Sequence, residues 1–186
     1  VSRLSIRTRR ADSPAGVELS VEGGLKPVVR PTGCAPGTLV EVRDLFFNVP
    51  ARRKFLRSSG TEAGHLTEVV EALALANPRL ALTLERDGRK VREWLRVSDR
   101  GERAAQALDE ELAECRGQRG PLTVEAYLAR PERARTGTGG LRLLVNGRPI
   151  RDRALAVSVA QAYGSVLERG RYPRGVVYLD LPPQLV

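Results

Sequence analysis

The sequence predicts an α+β fold arranged as two units, and three observations carry that expectation. Four short segments before residue 44 alternate apolar and polar side chains with period 2. The period changes to that of a helix from about residue 61. After a polar stretch at Ser98–Gly101 the strand-and-helix pattern starts again.

Leu4, Ile6 and Thr8 alternate with Ser5, Arg7 and Arg9 as in a half-buried strand, and Val17, Leu19 and Val21 repeat the pattern. Gly23-Gly24 turns the chain into a third segment, Leu25–Arg30, whose Pro27 lacks a ladder donor and pushes it to a sheet edge. Pro31–Gly37 reads as a loop and Thr38–Arg43 as the fourth strand of an antiparallel sheet. Leu66, Val69, Val70 and Leu73 follow i, i+3, i+4, i+7 spacing, so Thr61–Ala76 reads as an amphipathic helix, capped by Thr61 and stopped before Pro78. Asp87-Gly88 between two apolar runs signals a hairpin of Leu80–Arg86 and Lys90–Val97. Ser98–Gly101 is the expected linker.

Beyond it, Glu102–Glu114 reads as a helix with Ala105, Leu108 and Leu112 inward and Ser98 or Asp99 as cap. Leu122–Leu128 alternates as a strand, and Pro131–Gly140 is an exposed loop by composition. Leu141–Val145 is a further strand, ended by Asn146-Gly147. Leu155, Val159, Ala162 and Val166 mark a helix over Asp152–Glu168, and Val177, Leu179 and Leu181 a closing strand.

Composition narrows the function. The 186 residues carry Lys+Arg 31 against Asp+Glu 22, a net charge of +9, and only Lys26, Lys54 and Lys90 are lysine. An arginine-rich surface favours planar phosphate recognition, and a genome-wide arginine bias produces the same count. No apolar run approaches the ~18–20 residues of a membrane span. No basic-then-apolar leader opens the chain, and Cys34 and Cys115 lack nearby cysteine partners, so a cytoplasmic, reducing setting is expected. His65 is the single histidine, which removes most Ser–His and Cys–His catalytic schemes and all multi-His metal sites. It reads as a solvent-facing helical residue, Trp94 as a core filler, and Glu110, Glu111 and Glu114 as solvated acids on one helix.

One stretch is specific. Gly37-Thr38-Leu39-Val40-Glu41-Val42-Arg43-Asp44-Leu45-Phe46-Phe47-Asn48-Val49-Pro50-Ala51-Arg52-Arg53-Lys54-Phe55-Leu56 resembles the G-T-x-x-x-V-x-D-L-F-x-N-x-P-A-R-x-K-F-L signature of the MutL family of DNA mismatch repair proteins. Val145-Asn146-Gly147-Arg148, Arg151-Asp152-Arg153 and Tyr178-Leu179-Asp180-Leu181 agree in order and spacing, so the resemblance spans essentially the whole chain. Read physically, the signature is a strand entering a helix: Asn48 suits a turn or cap, Pro50 suits the first helical turn, and Phe55 and Leu56 are placed to dock on a core. Asp44 to Phe47 read most simply as a corner held by packing and a salt bridge.

The resemblance implies residues 1–97 as the C-terminal half of a GHKL-type ATPase domain, a partial α/β sandwich, and residues 98–186 as a transducer domain similar to ribosomal protein S5 domain 2. That domain contains a left-handed β-α-β crossover in this family. It implies Thr38 at the nucleotide pocket, where the competing reading is an ordinary strand threonine. ATP and Mg belong to the parent protein. The catalytic Glu, the metal-holding Asn, the Asp-x-Gly-x-Gly turn and the G-x-R-G-E-A-L phosphate loop do not occur here, so a fragment is expected, with no nucleotide bound to it and no turnover. The parent is implied to be a homodimeric, ATP-driven clamp, nucleoid-associated in the cytoplasm. It links mismatch recognition by MutS to a downstream endonuclease and helicase.

The arginine matching Arg153 lies in a DNA-binding groove in this family, which makes Arg153 the first candidate and Arg151 and Arg148 its neighbours. On an extended strand Arg151 and Arg153 share a face; the competing reading is a solvated charged turn. Arg133, Arg135 and Arg142 widen the field, and Arg169, Arg171 and Arg174 form a weaker cluster. Apart from Tyr172 in the weaker cluster, no aromatic residues interleave with these arginines, and no base-reading motif is present, so the expected partner is duplex DNA held by its phosphates. The alternative is a basic S5-like RNA- or DNA-binding structural module without ATPase ancestry.

Overall fold

The computed structural model describes residues Val1–Leu185 and divides into two compact units, Val1–Glu62 and Ala63–Val186, of which Val186 lies outside the described residues. In the first unit β1 (Arg3–Arg9), β2 (Gly16–Glu22), β3 (Val28–Thr32) and β4 (Gly37–Arg43) form an antiparallel sheet ordered β3-β2-β1-β4. Register places Val29, Leu19, Ile6 and Val40 in one row across all four strands, and Leu4 between Val21 and Val42. The third strand starts three residues later than its apolar run suggests and includes Pro31, opposite Val17. Edge position makes this tolerable, since one side of β3 has no ladder to complete.

The corner after β4 is held by Arg3. Its guanidinium pairs with Glu22 at 2.8 Å and Asp44 at 2.6 Å and lies 4.6 Å over the Phe47 ring. Asp44 and Phe46 both take positive φ, 52° and 62°, as the chain reverses. Asn48 does not cap: its Nδ2 donates to the Gly23 carbonyl at 3.0 Å, and α1 (Pro50–Arg53) starts from Val49 with no side-chain cap. Pro50 opens that helix as expected. Phe55 and Leu56 do not dock on a core; Phe55 is 84% exposed, because α1 is one turn long and buries no residue.

The second unit holds the core. A five-stranded sheet is ordered β11-β10-β13-β8-β7, from β7 (Ala113–Arg119), β8 (Leu122–Leu128), β10 (Leu141–Val145), β11 (Arg148–Ile150) and β13 (Gly175–Asp180). β10 and β13 are parallel; the other pairings are antiparallel. Period-2 alternation splits the sheet cleanly. Tyr127, Leu144, Val176 and Tyr178 pack on one face with Ala74 and Leu75 of α2 (Ser59–Ala76), with Trp94, and with Ala104, Ala107 and Leu108 of α3 (Arg100–Leu108). Trp94 ends the hairpin of β5 (Leu82–Arg86) and β6 (Arg89–Trp94), whose turn has Asp87 and Gly88 both at positive φ. Ala126, Leu141, Leu143 and Val177 pack on the other face with Ala156 of α4 (Arg153–Ala162). A two-residue ladder of β9 (Arg135–Thr136) and β12 (Arg171–Tyr172) completes the unit, its β9 lying inside the Pro131–Gly140 stretch that composition marks as loop.

Several expectations are corrected here. α2 starts at Ser59, and Ser58, not Thr61, supplies the capping oxygen, accepting from Thr61 N at 3.4 Å. α3 ends at Leu108 because Asp109 takes a left-handed φ of 51°, so Glu110, Glu111 and Glu114 do not share a helix; Glu114 lies on β7. Its inner face is Ala104, Ala107 and Leu108, with Leu112 beyond its end. Asp99 caps it, accepting from Glu102 N at 2.9 Å, a bond that holds the Asp99 carboxyl below its ordinary value. α4 stops at Ala162, short of Glu168. Arg103, fully buried, donates to the carbonyls of Pro78 at 2.7 Å and Leu80 at 2.5 Å, and Arg100 and Gly101 of the polar stretch already belong to α3.

Trp94→Ala removes a large ring from a closed cluster, and a loss of about 3–5 kcal/mol in unfolding free energy is expected. Phe55→Ala, in contrast, changes it by less than about 0.5 kcal/mol. Urea titration followed by circular dichroism measures both; equal effects would contradict this placement of the core.

Candidate nucleic-acid interface

The sequence brings three of its arginines to one groove. α2 forms one wall, the Gly137–Gly139 loop and β10 the floor, and the segment from Pro149 into α4 the other wall, enclosing about 1050 Å³. Leu141, Leu143 and Ala156 make the base apolar, while Arg142, Arg151 and Arg153 line it with charge.

Each arginine reaches its place by a different local device. The Asn146-Gly147 turn has φ of 48° and 75°, the two-residue geometry that reverses β10 into β11. Asn146 locks that turn to the end of β13: its Nδ2 donates to the Leu181 carbonyl at 2.8 Å, and its Oδ1 accepts from Leu181 N at 2.9 Å. Arg148 therefore opens β11 on the sheet edge. Arg151 follows in the short link, and Arg153 is the first residue of α4, capped by Asp152, whose Oδ1 accepts from Leu155 N at 2.8 Å. Arg151 and Arg153 do not alternate along one strand, because the helix begins between them. A helix N-terminus adds partial positive charge beside Arg153.

Pairing separates these residues. Among the described residues Arg148 and Arg153 make no salt bridge. Arg142 Nε pairs with Glu71 at 2.8 Å, with Glu71 only 6% and Arg142 31% exposed, and Arg142 Nη1 also donates to the Gly139 carbonyl at 2.5 Å. Arg151 pairs with Glu68 at 2.5 Å. Glu68 and Glu71 sit three apart on α2; Glu68 lines the groove, and Glu71 lies beneath it on Arg142. Sequence reasoning missed both: their spacing on a helix was readable, but their partners lie 83 and 71 residues away.

The remaining candidates lie elsewhere. Thr38 is exposed on the edge strand β4, sharing a 2.8 Å hydrogen bond with the Thr8 hydroxyl. His65 is exposed on α2 and borders the groove. Arg133 and Arg174 are held by Glu110 at 3.1 and 3.4 Å, and Arg171 donates to the Ala134 carbonyl, so this second cluster serves mostly to pin the β9–β12 ladder. Both cysteines are free. Among the described residues no group of three or more His, Cys, Asp or Glu is placed to hold a metal ion, and no helix is long and apolar enough to cross a membrane.

Comparison with known proteins is consistent throughout. The family model described as "DNA mismatch repair protein, C-terminal domain" matches residues 102–186. The MutL protein of Pelobacter propionicus is 41% identical over 98% of this chain and 31% of its own length, and that of Xylella fastidiosa is 43% identical over 100% and 31%. The chain thus spans about 31% of the curated relatives it matches. The solved Aquifex aeolicus MutL ATPase domain complexed with ADP superposes with a TM-score of 0.81 at 31% identity, over 98% of this chain and 69% of that one.

The two acids of α2 should differ in weight. Glu71→Ala strands a partly buried guanidinium, with an expected cost of about 2–4 kcal/mol. Glu68→Ala opens a solvated pair worth under about 1 kcal/mol. Denaturant midpoints of the two variants check the order, and a reversed order would show that Glu71 does not hold the groove wall.

Proposed function

The chain belongs to the MutL family of DNA mismatch repair proteins, and on that premise we propose that its second unit grips duplex DNA by the phosphates without reading sequence, Arg153 being the principal contact and Arg151 and Arg148 its neighbours. The observation that carries the reading is that Arg148 and Arg153 make no salt bridge among the described residues beside an arginine-lined groove, with the positive end of α4 adding to the field. Guanidinium forks suit phosphate oxygens and stay charged at any working pH. The groove offers no aromatic row for stacking unpaired bases, which favours duplex.

The wider reading follows the family. Residues 1–97 correspond to the second half of the ATPase domain and 98–186 to the transducer domain. In the parent protein Thr38 borders the nucleotide pocket, and ATP with Mg closes a homodimeric clamp on DNA. That clamp passes mismatch recognition by MutS to an endonuclease and a helicase. The matched Aquifex protein is named as an ATPase domain with ADP, which supports the nucleotide part of this reading. Family membership removes the main ground for a module of separate, RNA-binding ancestry.

Arg153→Glu tests the DNA reading. Affinity for a fluorescein-labelled duplex should fall at least about tenfold at low salt, equally across sequences, and the slope of log affinity against log salt should drop by about 1. Fluorescence anisotropy measures both quantities. Unchanged affinity would refute the assignment.

A further inference from the structure

The ion pairs along α2 are unequal, and the inequality bears on how the groove meets a polyanion. Glu71 and Arg142 are shielded from solvent, and Arg142 spends a second donor on the Gly139 carbonyl. That arginine is fixed to the protein. Glu68 and Arg151 are 50% and 84% exposed, and their 2.5 Å contact is the only one Arg151 makes among the described side chains. An exposed pair contributes roughly 0–1 kcal/mol and opens readily. A carboxylate and a phosphodiester each carry one negative charge and present two oxygens to the same guanidinium fork.

We propose that Glu68 is a built-in competitor of DNA phosphate for Arg151. It occupies the guanidinium in the free protein and must release it when a duplex enters the groove. The proposal rests on the DNA reading above and adds a residue to it. Among the described residues Arg153 pairs with no such acid, and it engages first; Arg151 joins only where a phosphate displaces Glu68, so the acid lowers affinity for duplex and favours release. Arg142 stays out of the exchange, because leaving Glu71 buried and unpaired costs more than a phosphate contact returns.

The test uses the whole chain and anisotropy with a labelled duplex. Glu68→Gln keeps the side chain's size and removes its charge, so affinity should rise about threefold at low salt. In an Arg151→Gln background the same change should have no effect. A gain that persists without Arg151 would be a general charge effect and would overturn the proposal. Unchanged or weaker binding by Glu68→Gln, while Arg153→Glu still weakens it, would mean that Glu68 only positions Arg151, and overturns the proposal with the DNA reading intact. If Arg153→Glu leaves binding unchanged, or no duplex binds, the DNA reading itself fails and this inference with it.

Discussion

Glu71 lies buried on α2 with its carboxylate on Arg142, and Arg142 in turn reaches the Gly139 carbonyl. This chain of contacts joins a helix, a central strand and the glycine-rich loop, which are the wall and floor of the groove. Desolvating both charges is costly, and their attraction offsets that cost only while the geometry holds. The pair therefore behaves as a fixed spacer. Ala74 and Leu75, a turn further along the same helix, bury against Leu144 and Tyr178, and the Tyr178 hydroxyl donates to the Leu75 carbonyl at 3.1 Å. Burial pushes that hydroxyl's ionisation up, so it remains a donor across the physiological range. Apolar packing holds one end of α2 and a buried ion pair the stretch before it.

Given a fixed wall, the arginines facing it differ only in what else they touch. Arg142 is consumed by the fold, Arg151 is shared with Glu68, and Arg153 makes no salt bridge among the described residues. If the proposed DNA reading holds, a surface graded in this way would meet a polyanion through contacts of graded strength. Phosphate contacts fix register on a duplex and carry no base information, in keeping with the sequence-independent grip proposed above.

Much of this fold was legible from the sequence, and the failures have physical causes. Leu4–Thr8, Val17–Val21, Leu122–Leu128 and Leu141–Val145 are strands because one face of each meets apolar neighbours, and that shows as period 2. Asp87-Gly88 and Asn146-Gly147 are turns because both positions need positive φ. β7 was invisible: Ala-Glu-Cys-Arg-Gly-Gln-Arg is exposed along its whole length, so no burial imprints a period on it. The end of α3 depends on Asp109 entering the left-handed region, a choice that apolar spacing does not record. Phe55 and Leu56 are apolar without being buried, and composition alone cannot tell those conditions apart. The candidates Arg148, Arg151 and Arg153 share one short segment and are readable together, whereas the pairing of Glu68 and Glu71 required the fold, since pairing over more than 70 residues leaves no local trace.

The arginine excess has a second use besides polyanions. Arg103 is buried with two backbone carbonyls on one of its terminal nitrogens. Arg100 sits 4.5 Å over the Tyr178 ring and holds Asp180 at 2.5 Å and Glu125 at 3.3 Å; Arg174 reaches the Leu108 carbonyl at 2.8 Å. A planar fork with five donors can satisfy several acceptors while stacking on a ring, which lysine cannot do. In a chain with few aromatic side chains to fill space, guanidinium groups take over some of the joining of helices to sheet. A net charge of +9 therefore overstates the surface open to DNA. What marks the groove is that, among the described residues, Arg153 on its wall and Arg148 nearby have no internal acid to hold them.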